Sequence, residues 1–264
     1  MGGFGEISER LRRSTVRVIS GRGPGFGSGV IWNAGGTIVT NAHVVMHGDQ
    51  HVELWDGRRF PARVTSRDSR RDLATLKISA ANLEPATAGI SGTIRPGELV
   101  IAVGNPMGFA GAVSTGVVHS VGRMAGMGRQ SWILANVRLA PGNSGGPLAD
   151  AEGRVIGINT AIVNGLGVAA PSDAARDLLQ FGPRPSLGVV LRPVSLGLLV
   201  LQVEDGGAAA EASIKPGDLL LSNMDDLNDA LDSGREAVHL QFLRGDRKRV
   251  RETVVRLARR AVAA

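Results

Sequence analysis

From Ser14 to about Pro171 the chain alternates short β-rich runs with turns of Gly, Asn and Asp, and this rhythm limits the fold more than any other feature. The runs are STVRVIS (14–20), GSGVIW (27–32), GTIVT (36–40), HVELW (51–55), FPARVTS (60–66), ATLKIS (74–79), ELVIAVG (98–104), SWILANV (131–137) and GRVIGINT (153–160). NAGG and DGRR between such runs are hairpin signals, and antiparallel sheets of many short strands hide their edges by closing into barrels or packing as sandwiches. Parallel βαβ units would need helical segments between the runs, and the spacing leaves no room for them. The region is roughly twice the length of one small barrel. The softer stretch AANLEPATAGISGTIRPGE (80–98) divides it as a connector between two barrels would. Composition agrees: 37 glycines against 3% aromatic residues, with no tyrosine, favour tight turns and close backbones over a core of large rings. With no cysteine there is neither a disulfide nor a thiolate, so stability comes from packing.

PSDAARDLLQ (171–180) reads as a helix, with Ser172 as its cap, Asp173 in the first turn, and Leu178 and Leu179 on its apolar side. FGPRP (181–185) cannot continue that helix and is expected to be a linker. The remainder, 186–260, is expected to be a compact mixed unit. Its strands are SLGVVLRPV, LGLLVLQVE, GDLLL, AVHLQFLR and RVRETVVRL, and its helices are AAAEA (208–212) and MDDLNDALD (224–232). The expected organisation is therefore an N-terminal segment (1–13), a β domain (14–180), the linker and the C-terminal unit.

Several function classes are excluded on chemical grounds. The formal charge of +6 comes mostly from arginine, and its small clusters, RR at 70–71 and RKRVR at 247–251, are scattered without interleaved aromatics, unlike a nucleic-acid face. No run approaches the roughly 18 apolar residues of a membrane span, and MGGFGEISERLRR lacks the apolar core of a signal peptide. His43 and His47 in HVVMH have the spacing of a zinc-protease helix, with His51 nearby. The Glu that should follow the first His is missing and the β-branched context is a poor helix, so neither a metal nor another cofactor is expected. His47, His51, His119 and His239 read as structural or surface residues.

PGNSGGPL (141–148) surrounds Ser144 with glycines. Such text can be no more than a turn, His43 can be a structural histidine beside a strand, and Asp72 can be an ion-pair partner for Arg70 or Arg71. Together they make a chemical set: a serine hydroxyl attacks a carbonyl when an imidazole removes its proton, and a carboxylate fixes that imidazole's tautomer. The glycines suit an oxyanion site, because Gly142 permits backbone angles that aim its own N–H and that of Ser144 at one point.

GSGVIWNAGGTIVTNAHVV, DLATLKI, VIAVGNPMGF, VSTGVVHSVGR, PGNSGGPLADAEGRVIGINTAI and GLGVAAPS together resemble the HtrA (Deg) family of trypsin-like serine proteases over residues 14–180. The order His, Asp, Ser is that of the trypsin-like enzymes. The resemblance implies a mainly β fold, with a protease domain of two six-stranded barrels followed by a small α+β PDZ domain. It implies catalytic His43, Asp72 and Ser144, an oxyanion hole at Gly142, Asn143 and Ser144, and a pocket for small aliphatic side chains near Leu139, Ala161 and Val168. It further implies ATP-independent cleavage of unfolded or damaged proteins. In the C-terminal unit, Ser186, Leu187, Gly188 and Val189 match a PDZ loop that binds the carboxylate of peptide C-termini. Phe4 is the candidate aromatic for a homotrimer contact, and family membership favours the bacterial envelope, although no export signal is read here. ANVRLA, with Asn136, Arg138 and Ala140, departs from the acidic, DAAIN-like text usual before PGNSGG, and the C-terminal unit is short between Leu221 and Asn223. The rival reading is a peptide-binding holdase whose protease site stays at rest.

Overall fold

The computed structural model describes residues 3–21, 26–45, 48–124, 127 and 130–257, the side chains of 246–248 excepted. Most of the chain up to Gly182 forms one compact unit, and most of the chain from Pro183 onward forms another. In the first unit, helix α1 (Phe4–Ser14) precedes six antiparallel strands: β1 (Thr15–Ser20), β2 (Phe26–Ile31), β3 (Thr37–Thr40), β4 (Gln50–Glu53), β5 (Arg59–Asp68) and β6 (Leu73–Lys77). They close into a barrel in the order β1-β2-β3-β6-β5-β4. Alternation along each strand sends Val16 and Val18 of β1, Ile38 of β3, Val52 of β4, and Ala74 and Leu76 of β6 into one apolar core. Full burial of each Val, Leu or Ile side chain contributes about 1.5–3 kcal/mol.

A second barrel follows, built from β7 (Leu99–Gly104), β8 (Ala112–Arg123), β9 (Ser131–Ala135), β10 (Pro147–Asp150), β11 (Val155–Val163) and β12 (Leu166–Pro171). Its order is β10-β11-β12-β9-β8-β7, and Val100, Ala102, Val118, Ile133, Leu148 and Ile156 pack inside. Nine of the twelve barrel strands coincide with the β-rich runs; β8, β10 and β12 do not. β8 turns small residues inward, and a Cβ on its Gly116 would lie 1.9 Å from the Asn136 carbonyl oxygen, so close backbone approach replaces a readable hydrophobic alternation. β10 is only four residues long and starts on proline, a position where no ladder N–H is needed.

Helix α1 was not expected. Leu11 is buried with Ser8 and Ser14, and Ile7 lies against Gly153, so the packed stripe is partly polar and too weakly apolar to stand out in sequence. Helix α2 (Ser172–Phe181) forms where expected, but Ser172 is not its cap. The Ser172 hydroxyl is buried and donates to the Gly89 carbonyl at 2.8 Å, and Pro171 holds the cap position. Asp173 accepts from the Ser91 hydroxyl (2.7 Å) and the Gly92 amide (2.8 Å). Burial pushes the Asp173 carboxyl up, but those two donors and the Arg176 guanidinium outweigh it and hold the group below the ordinary aspartate range. The 80–98 connector thus docks on the helix that closes the first unit.

The second unit is a five-stranded antiparallel sheet in the order β13-β14-β15-β16-β17, made of β13 (Val189–Val194), β14 (Gly197–Val203), β15 (Leu219–Leu220), β16 (Ala237–Arg244) and β17 (Asp246–Arg256). Helices α3 (Ala208–Glu211) and α4 (Met224–Asp232) accompany it, and Leu198, Leu220, Leu227, Leu240, Phe242 and Val255 share its core. Asn223 caps α4 by accepting from the Asp226 amide at 2.8 Å, so the chain passes from β15 into a helix after three residues. Asp218 is buried and satisfied by a two-pronged Arg244 contact (2.7 and 2.6 Å) and the Lys215 amide (2.8 Å). No helix among the described residues is long and apolar enough to cross a membrane.

Candidate active site

The three residues of the expected catalytic set sit on loops at strand ends. His43 lies in the turn after β3, which closes through the Val44 amide and the Asn41 carbonyl at 3.2 Å. Asp72 sits between β5 and β6 with φ +50, in the left-handed region that a non-glycine residue keeps only when its surroundings fix it. Its two carboxylate oxygens serve His43: Oδ2 lies 2.6 Å from Nδ1, and Oδ1 accepts the His43 main-chain N–H at 3.0 Å. A proton held on Nδ1 leaves Nε2 as the basic nitrogen. Arg71 is buried and turns to Asp68 (3.1 Å) and to the Ala174 carbonyl of α2 (2.9 Å).

Ser144 rides on a turn clamped between the two barrels. The Ser28 amide of β2 donates to the Ser144 carbonyl (2.7 Å) and the Ser28 hydroxyl to the Gly142 carbonyl (2.7 Å). Asn105, just past β7, donates to the same Ser28 hydroxyl oxygen from its amide (2.9 Å) and its side chain (3.0 Å). On the far side, the Gly145 amide reaches the Asn159 carbonyl at 2.8 Å. Gly142 has φ +104, and a Cβ there would stand 2.5 Å from the Asn105 carbonyl oxygen, so both the angle and the space require glycine. Among the described residues neither the Gly142 amide nor the Ser144 amide donates a hydrogen bond, which is how an oxyanion site waits for its ligand. Asn143 differs from expectation in this respect. Its main-chain amide is committed to the Ala140 carbonyl (3.0 Å) and its side-chain oxygen is packed against Gly104, so it braces the turn and its main-chain N–H is not free for an oxyanion.

The Ser144 hydroxyl donates to the Thr160 carbonyl at 3.2 Å and not to His43. Thr160 belongs to β11 beyond Ile158, where the pairing with β10 ends; among the described residues no strand pairs with that edge of β11 at Ala161–Val163. Leu139 packs with the second-barrel core and faces Gly167, and Ala161 is half-buried beside the open edge. Val168 pairs with Ala161 across the β11–β12 ladder but is 0% exposed, so it offers no surface to a bound side chain. His51, His119 and His239 are exposed on strands, as expected of surface residues, while His47 lies outside the described residues.

Four polar residues of this frame had been assigned no role from sequence: Ser28, Asn41, Asn105 and Thr160. Each lies inside one of the quoted motifs, in GSGVIW, TNAHVV, GNPMGF and INTAI. Hydroxyl and amide side chains at strand ends leading into a candidate site were the available signal.

In the C-terminal unit, Leu187 is buried and Gly188 has φ +69. The Leu187 and Gly188 carbonyls accept from the Ala209 and Glu204 amides (both 2.8 Å), while among the described residues the Leu187 and Gly188 amides donate to nothing. Ser186 is half-buried, and Val189 opens the edge strand β13.

Comparison with known proteins agrees with this geometry. Residues 27–158 match the family model described as a trypsin-like peptidase domain. The putative serine protease HhoB of Synechocystis sp. is 37% identical over 235 residues, covering 76% of this chain and 56% of that protein. A probable periplasmic serine endoprotease, DegP-like, of Chlamydia pneumoniae is 36% identical over 264 residues, covering 90% of this chain and 53% of its own length. The chain thus spans about half the length of these curated relatives. Among solved structures, the HtrA-type protease AlgW with a tripeptide superposes with a TM-score of 0.67 at 28% identity over 97% of each chain. The serine endoprotease from Yersinia pestis gives 0.66 at 27% identity, over 97% of this chain and 98% of its own.

Proposed function

The chain belongs to the trypsin-like peptidases, within the HtrA proteases, and on that premise we propose that it is a serine endopeptidase that cleaves unfolded or damaged proteins without ATP. The observation that carries the reading is the grip of both Asp72 oxygens on His43, together with a serine turn whose Gly142 and Ser144 amides donate to nothing among the described residues. In the reaction, the Ser144 proton leaves the Thr160 carbonyl for His43 Nε2 as Oγ bonds to the substrate carbonyl carbon. The carbonyl oxygen becomes an anion between the Gly142 and Ser144 amides. His43 then gives the proton to the leaving amine as the scissile C–N bond breaks, and water repeats the cycle on the acyl-enzyme.

An extended substrate would pair with the open edge of β11 at Ala161–Val163, which favours unfolded segments over folded ones. A pocket bordered by Leu139, Gly167 and the small Ala161 would suit a small aliphatic side chain. Reaction with a fluorophosphonate, followed by peptide mapping, tests the proposal. The expected result is a single adduct on Ser144; an adduct elsewhere, or none with an unfolded protein present, overturns it.

We also propose that the C-terminal unit is a PDZ module. Its support is the unclaimed Leu187 and Gly188 amides at the head of the edge strand β13, a place where a peptide carboxylate and an added strand fit together. A fluorescent peptide with an apolar C-terminal residue is expected to bind with its carboxylate free and to lose binding when amidated. Equal anisotropy changes for the two would remove this assignment.

A further inference from the structure

We propose that Asn41 is a positioning residue that holds the supports of His43, Asp72 and Ser144 in one frame, an inference that rests on the serine-protease reading above. Asn41 is fully buried. Its Nδ2 donates to the Asp72 carbonyl at 2.7 Å and to Thr160 Oγ1 at 2.9 Å. The direction of these bonds is fixed by chemistry: a main-chain carbonyl only accepts, so the NH2 end must face it. Thr160 Oγ1 passes its own proton to the Ile158 carbonyl at 3.1 Å, so the chain of donors runs one way across the gap between the barrels. The Asn41 carbonyl accepts the Val44 amide and closes the turn that carries His43, while the Thr160 carbonyl accepts the Ser144 hydroxyl. One side chain and its own peptide thereby reach the support of each reacting group.

Two further observations separate this role from ordinary packing. Asp72 holds a left-handed angle, and the Asn41 bond to its carbonyl fixes that peptide plane, which in turn aims both carboxylate oxygens at His43. Freed of the bond, the peptide can relax to negative φ and carry the carboxylate off the imidazole. The second observation is that Asn41 Oδ1 is buried without a hydrogen-bond partner. A residue selected for packing alone would shed such an oxygen, because an unpaired buried acceptor is costly. Here the amide group is kept for its two N–H donors.

The test compares wild type, Asn41→Ala, Thr160→Val and the double variant of the full chain. The readouts are kcat and KM on a peptide substrate, fluorophosphonate labelling rate, thermal unfolding, and the strongly downfield proton of the His43–Asp72 hydrogen bond. Asn41→Ala is expected to lower kcat and labelling about 100-fold with little change in KM, and to abolish the downfield proton in a protein that still folds. Thr160→Val matches threonine in shape and removes the second link together with the bond to the Ile158 carbonyl, leaving the Asn41–Asp72 bond in place, so it is expected to lower kcat about tenfold with the proton retained. The double variant should be no worse than Asn41→Ala, since both act through one network. Wild-type kcat in folded Asn41→Ala, or a kcat loss with the downfield proton intact, overturns the proposal. If Asn41→Ala does not fold, Thr160→Val decides, and wild-type kcat there is the overturning result. Failure of the wild-type chain to label at Ser144 would instead sink the protease reading and this inference with it.

Discussion

Replacing Ser144 with alanine is expected to lower turnover of an unfolded protein substrate by about a millionfold while the protein keeps its fold. The hydroxyl makes one hydrogen bond, at 3.2 Å to the Thr160 carbonyl, so its loss costs stability about 1 kcal/mol at most. The Gly142 and Ser144 amides and the open β11 edge survive the substitution, so substrate still binds and a small residual rate over water remains. Single-turnover cleavage of a quenched casein, with circular dichroism and a melting curve on the same sample, gives the answer. Cleavage within about tenfold of wild type would mean that another group is the nucleophile. The same inactive variant tests the holdase reading. Suppression of aggregation at equimolar protein would give the cleft and C-terminal unit a binding role of their own, and no suppression would leave proteolysis as the function.

Gly142→Ala is expected to lower kcat by about 10²–10³ through the oxyanion site, with His43, Asp72 and Ser144 all present. Alanine meets two obstacles at this position. Its φ of +104 is disfavoured for an L-residue, and its Cβ would stand 2.5 Å from the Asn105 carbonyl oxygen and 2.9 Å from Phe26 Cε2. The turn must rotate to escape, and rotation is expected to move the Gly142 and Ser144 amides away from a developing oxyanion. Because the phosphonyl oxygen of a fluorophosphonate needs the same donors, labelling should slow in parallel with kcat while KM moves little. A variant with wild-type kcat would show that the oxyanion is held elsewhere. The neighbouring clamp of Ser28 and Asn105 limits the damage to this turn, since the two remain bonded to each other and Asn105 also donates to the Val16 carbonyl.

Much of this architecture was legible before any coordinates. Strands with one apolar face, such as β1 and β16, announce themselves because burial on one side imposes a period of two. The same logic found α2 and both helices of the C-terminal unit. It failed at β8, whose inward residues are small, at four-residue β10, and at α1, whose buried residues are Ser8, Leu11 and Ser14, only one of them apolar. It also misplaced Ser172, because a serine at a helix start is equally suited to capping and to a distant carbonyl, and Gly89 happened to be within reach.

The sequence by itself determined the chemistry: a serine in a glycine turn, a histidine and an aspartate in trypsin-like order, and two barrels' worth of alternating strands to carry them. Those are properties of residue type and local spacing, which a chain displays before it folds. Only the tertiary structure decided which partner each group takes. Asp72 meets His43 and leaves Arg71 to Asp68, Asn143 spends its amide on Ala140, Val168 disappears beneath the surface, and Asn41 links two barrels through Asp72 and Thr160. Each outcome is a choice among several chemically adequate partners, and the choice is made by packing of segments far apart in the chain, where distances of a few tenths of an ångström separate a hydrogen bond from none.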